Sequence, residues 1–176
     1  MSNVNSVVAI YDTHEQAEQA VKELQEAGVD MKSLSIAAKD MHTDEQVVGY
    51  YNTGDRVKFW GKLGAWWGGL AGLLFGSAML LVPGIGHLLI LGPLGSWILG
   101  GLEGAAVGGG LSAFGAGLYS LGIPKDSVVQ YESAVKAGRF VVVANGGPDE
   151  VKKARATLAT TQPQQLDEHR REPAAV

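Results

Sequence analysis

The chain has 176 residues, no cysteine and a formal net charge of −4. Its length suits one domain with an appendage. The missing thiols exclude disulfide frameworks, thiolate metal sites and cysteine nucleophiles, and the acidic balance argues against nucleic acid, whose binders need a basic face.

From the N-terminus, Met1 to Asn5 carries no basic n-region, so no secretory signal is expected. Val7 to Tyr11 reads as a buried strand. Asp12-Thr13 opens a helix, and Thr13 and Gln16 have the spacing of a capping box. Ala17, Ala20, Val21, Leu24 and Ala27 fall on one face of that helix, and Gly28 suits the residue just past its end. Leu34 to Ala38 is a second strand. Lys39 to Glu45 is a polar loop, Val47 to Asn52 a short third strand, and Thr53 to Asp55 a turn. Further on, Pro124 suits the first position of a helix whose face is Val128, Val129, Tyr131, Ala134 and Val135, ending at Gly138. Phe140 to Asn145 is the clearest strand in the chain. Gly146-Gly147 turns into a helix from Pro148 with acids in its first turn, fading near Thr160. Thr161 to Val176 is polar and is expected to be a disordered tail.

Between these halves the composition changes. From Leu63 to Pro124 the only formal charge is Glu103. Phe59 to Val82 would be about 36 Å long as a helix, against a bilayer core of about 30 Å. Pro83 to His87 breaks the run, and a second helix is expected from Leu94 to Leu121. Two such spans make a transmembrane hairpin with both termini on one side. Arg56, Lys58, Lys62 and Lys125 flank it and the Pro83–Pro93 connection has no Lys or Arg, so the positive-inside rule puts the termini in the cytoplasm. Trp60, Trp97 and Tyr119 sit near the ends, as interface aromatics do.

The glycines of this block are ordered. Gly64, Gly68, Gly72 and Gly76 recur every four residues, as do Gly100, Gly104 and Gly108; these are the expected helix-packing ladders. Gly101, Ala105, Gly109, Ala113 and Gly117 form a second ladder about 100° around the helix, the expected face for a neighbouring subunit. Glu103, an ionisable group within a span, is a candidate functional residue.

No catalytic constellation stands out. His14, His42, His87 and His169 are scattered, with His87 expected at the far membrane interface. Asp40, His42, Asp44 and Glu45 have metal-capable side chains, but a solvated loop accounts for them better. Gly61-Lys62 is followed by Leu63, so it is no P-loop, and dinucleotide-binding and nucleophile-elbow motifs are missing. No catalytic, cofactor-binding or metal residue is therefore assigned.

The first strand ending in Tyr11-Asp12-Thr13, the following His14-Glu-Gln-Ala-Glu-Gln-Ala-Val21 and Leu24-x-x-Ala27-Gly28 resemble the bacterial general stress protein domain of the YflT-like type. Val82-Pro-Gly-Ile-Gly86, Leu121-Gly-Ile-Pro124 and Phe140 to Val143 resemble its membrane-hairpin branch. The resemblance covers roughly residues 6–158 and implies a stress-associated protein with no known catalytic residues.

The expected fold is α+β. A small ferredoxin-like β-α-β-β-α-β domain, formed by residues 1–58 and 124–160, is split by a glycine-zipper hairpin at 59–123 and followed by a tail at 161–176. The expected function is a non-enzymatic, self-associating stress protein of the bacterial inner membrane. Its partners are the lipid bilayer and copies of itself, without cofactor or nucleic acid and with no small-molecule ligand to name. The rivals are a small channel or transporter using Glu103, and a lipid-binding or shell-like assembly with a ligand-sensing α/β domain.

Overall fold

The computed structural model describes residues 5–39, 77–82, 86–94 and 112–170. In chain order these form β1 (Asn5–Tyr11), α1 (His14–Glu26), a 3-10 turn (Met31–Ser33) and β2 (Leu34–Lys39). There follow β3 (Ser77–Val82), β4 (Gly86–Leu91), α2 (Ala113–Ser120), α3 (Lys125–Lys136), β5 (Phe140–Gly146), α4 (Pro148–Thr160) and β6 (Gln165–His169). The fold is α+β.

The strands make one sheet in the order β3-β4-β2-β5-β1-β6, with every neighbouring pair antiparallel. Within it, β1-α1-β2 and β5-α4-β6 are two interleaved split β-α-β units, the β-α-β-β-α-β arrangement expected from the sequence. Its fourth strand, however, is β6, from the segment expected to be a disordered tail. Val8 faces Asp167 and Ser6 faces His169 across the β1–β6 pair.

Both faces of the central strands are covered. On one, Val7, Ala9, Leu34, Ile36, Val142 and Ala144 pack against α1 and α4 through Ala20, Leu24, Ala154 and Leu158. On the other, Val8, Ile10, Val141, Val143, Leu88 and Ile90 meet Phe114, Leu118, Val128, Tyr131 and Val135 of α2 and α3. Burial on two faces is why β1 and β5 read as continuous apolar runs rather than alternating ones.

Local signals end the elements where expected. Thr13 caps α1, with its Oγ1 accepting from the Gln16 amide at 3.3 Å and the Gln16 side chain returning to the Thr13 amide at 3.3 Å. Gly28, just past α1, takes φ +74°, a left-handed conformation that costs glycine little. Pro124 is the N-cap of α3 rather than its first helical residue.

The apolar block departs from expectation where it is described. Ser77 to Val82, expected as the end of a membrane helix, is β3, and the expected connection contains β4. Leu88 and Ile90 are fully buried in the second core, and β4 pairs with β2 through Ile36–Leu91 and Lys39–Leu88. A continuous apolar run serves a doubly covered strand as well as a helix, and burial in this sheet decided between them. After β4 the chain crosses closely over β2. Gly92 has φ +96°, and a Cβ there would lie 2.1 Å from the Leu34 carbonyl oxygen. The Leu94 amide then donates to the buried Ser35 Oγ at 3.0 Å. The expected second helix is present from Ala113, where Ser112 is an N-cap in extended conformation. Among the described residues no helix is long and apolar enough to cross a membrane.

Candidate functional site

The second core turns polar at the β6 edge. Strand alternation aims Gln165, Asp167 and His169 at the face that holds Val8 and Ile10, where α3 lies. The buried Tyr131 of α3 reaches them. Its hydroxyl donates to Asp167 Oδ2 at 2.9 Å and lies 2.6 Å from His169 Nε2. One O–H serves one acceptor at a time, so while it is given to Asp167 the imidazole supplies Nε2–H. The two rings meet edge to face at 5.8 Å between centroids. Gln165 adds donors to Asp167 Oδ2 at 2.5 Å and to Gln130 Oε1 at 3.0 Å.

Burial, reinforced by the Asp167 hydrogen bond and charge, pushes the Tyr131 phenol above its ordinary range. It is therefore a neutral donor and no general base. Burial lowers the His169 imidazole, with Asp167 opposing. The cluster behaves as a latch that holds β6 on the sheet. Beside it, Ser6 lies between Asn145 and His169 in the cross-strand row. Ser6 Oγ and Asn145 Oδ1 are buried without a hydrogen-bond partner among the described residues. Polar atoms left so are costly and mark the place where a water or small polar group would be held.

Outside the latch, a groove of about 580 Å³ follows the outer edge of β6. Ser127 and Gln130 of α3 line one wall, Arg155 of α4 the other, and Glu168 and Arg170 its floor. Glu168 is paired with Arg155 at 3.5 Å and with Arg170 at 2.9 Å. Among the described residues no three His, Asp or Glu come together as a metal site.

The residues singled out from sequence lie elsewhere. Gly64, Gly68, Gly72, Gly76, Gly100, Gly101, Glu103, Gly104, Ala105, Gly108 and Gly109 fall outside the described residues, as do the Val47–Asn52 strand and the Asp40–Glu45 loop. Ala113 is the first residue of α2, and Gly117 is buried within its own chain, so Gly117 offers nothing to a subunit face. His87 is in β4, on the same sheet as both chain halves, rather than at a far interface. His14 pairs with Glu15 at 3.2 Å. Of the four histidines only His169 was placed in a tail and turns out to be in the polar cluster. The signal for it was topological: a second split β-α-β unit needs a strand after its helix.

No match was found among curated proteins, and none among solved structures. The stretch that carries β1, the capped helix α1, β2 and β3, residues 6–82, matches the family model described as the heat induced stress protein YflT domain.

Proposed function

We propose that this is a non-enzymatic stress-response protein that works at the cytoplasmic face of the bacterial inner membrane and self-associates there. The stress-response element of this reading rests on the YflT match. The membrane element rests on the apolar block, but in a form altered by one observation: β4 is paired with β2. That pairing ties the middle of the block to the sheet that also holds the two chain halves. A crossing of the bilayer by residues 95–111 would have to leave and return between Leu94 and Ser112. An out-and-back crossing needs about 40 residues, at about 20 per span, and that segment has 17. The uncharged part of the earlier segment, residues 63–76, is shorter still. Two glycine-rich excursions that dip into one leaflet fit these lengths, in the manner of interfacial anchors. The surface next to them suits a headgroup layer: Tyr119 is 52% exposed, Val129 55%, and the Lys125 ammonium stands 5.8 Å from the Tyr119 ring. The same lengths weigh against a pore lined by Glu103.

Extraction separates these cases. The native protein should sediment with membranes in neutral buffer and be released by alkaline carbonate. Resistance to carbonate would restore the spanning hairpin, and a protein that stays in the supernatant with intact membranes present would remove the membrane from its function. Light scattering on the released protein reads self-association, and a monomer there would end that part of the proposal.

A further inference from the structure

The outer edge of β6 is the end of the sheet among the described residues, with β1 on its inner side alone. Edge strands expose unpaired backbone donors and acceptors, and charges placed on them normally keep other strands away. The charges here are arranged otherwise. Asp167, Glu168, His169, Arg170 and, next in the sequence, Arg171 run from acid to base through a central histidine. Such a run is complementary to itself when reversed. Antiparallel pairing about His169 places Glu168 opposite Arg170 of a second copy, and Arg170 opposite its Glu168. The same register sets Asp167 opposite a cation. Residues directly opposite lie on the same face, so Glu168 and Arg170 meet on the α4 side.

We propose that the outer edge of β6 is a self-recognition surface, on which the β6 of a second copy pairs antiparallel across a two-fold axis at His169. The two sheets then become one. The groove beside β6, walled by Ser127, Gln130 and Arg155, gives the incoming strand its room. The 2.9 Å Glu168–Arg170 pair within the chain is exchanged for two pairs between chains. Arg170, with a side chain 77% exposed, is free to swing across. An acidic or a basic peptide would match only half of this pattern, and a second copy matches all of it. This surface is separate from the apolar excursions, so it stands or falls without the membrane reading.

The register gives a specific test, because the full-length chain has no cysteine of its own. Glu168→Cys and Arg170→Cys variants are purified separately, mixed and oxidised. The mixture should give a covalent dimer of twice 18.5 kDa in clear excess over either variant alone, since position 168 opposes 170 and not itself. Charge reversal supplies the second arm. Arg170→Glu alone and Glu168→Arg alone should each lose this pairing, measured as at least a tenfold rise in the dissociation constant, and mixing them should restore it as a heterodimer. Equal cross-linking in the mixture and in the single variants, or no recovery on mixing the reversed charges, overturns the proposal. Membrane sedimentation of Arg170→Glu should equal that of the wild type, which keeps a failure here distinct from a failure of the membrane reading.

Discussion

Gly92 carries more structural consequence than any ladder glycine expected from the sequence. At φ +96°, with a Cβ position 2.1 Å from the Leu34 oxygen and 2.9 Å from the Ser35 Cα, it faces backbone that cannot move aside. Gly92→Ala should therefore cost about 2–5 kcal/mol, from strain and overpacking together, read as a lower urea midpoint. Gly115 is gentler: a Cβ there would meet the Glu132 carboxylate and the Val128 side chain, which can shift. At the latch, the sign of the pH effect follows from burial. The folded imidazole of His169 titrates below its ordinary value, so the folded state binds that proton less well than the unfolded chain does. Its contribution is complete above about pH 6.5 and is lost as pH falls through the lowered value. Thermal unfolding should show a smaller drop between pH 7.5 and 5.5 in His169→Gln than in the wild type. An equal drop would remove His169 from the acid response. Tyr11 is also raised, to about 12, chiefly by burial, while its hydroxyl holds Thr161 Oγ1 at 2.6 Å.

Among the elements, α1 was the most legible, because its start is encoded by Thr13 and Gln16 and its end by Gly28. Thr13→Ala removes that cap and should cost about 1 kcal/mol, measurable as a shift in chemical denaturation. β5 was equally plain, since Phe140 to Ala144 is apolar throughout. β6 was not, because Leu166 is its one apolar side chain and all five residues are only partly buried. Hydrogen bonds rather than apolar burial hold it: the Gln164 amide to the Ile10 carbonyl at 2.8 Å, Gln164 Nε2 to Asp12 Oδ2 at 2.6 Å, and the Tyr131 latch. β3 and β4 were misread for the opposite reason, as unbroken apolar runs carry no period to tell strand from helix. Of the candidate site, the helix position of Tyr131 was legible and its partners were not. Truncation after Gln162 tests the difference. A disordered tail would be dispensable, whereas loss of β6 should uncover β1 and the Tyr131 hydroxyl, lower the unfolding midpoint and promote aggregation.

At the scale of the molecule, the sheet is assembled from distant parts of the sequence. β1 lies between β5 and β6, so the first strand to leave the ribosome has no neighbour until the last quarter of the chain is made. Synthesis proceeds at about 5–20 residues per second, so residues 5–11 wait roughly 6–26 s for their β5 partner. During that wait β1, β2 and the whole glycine-rich apolar block are in contact with whatever surrounds the ribosome. Such long-range pairing also slows folding once the chain is complete. Synthesis thus imposes a vulnerable interval that the finished fold does not reveal, and it lengthens the chain's dependence on holding chaperones. Nascent chains arrested after Arg139 should remain open to protease throughout residues 5–39. Those long enough to expose residue 170 outside the exit tunnel should become protected in a single step, with β1 closed in from both sides.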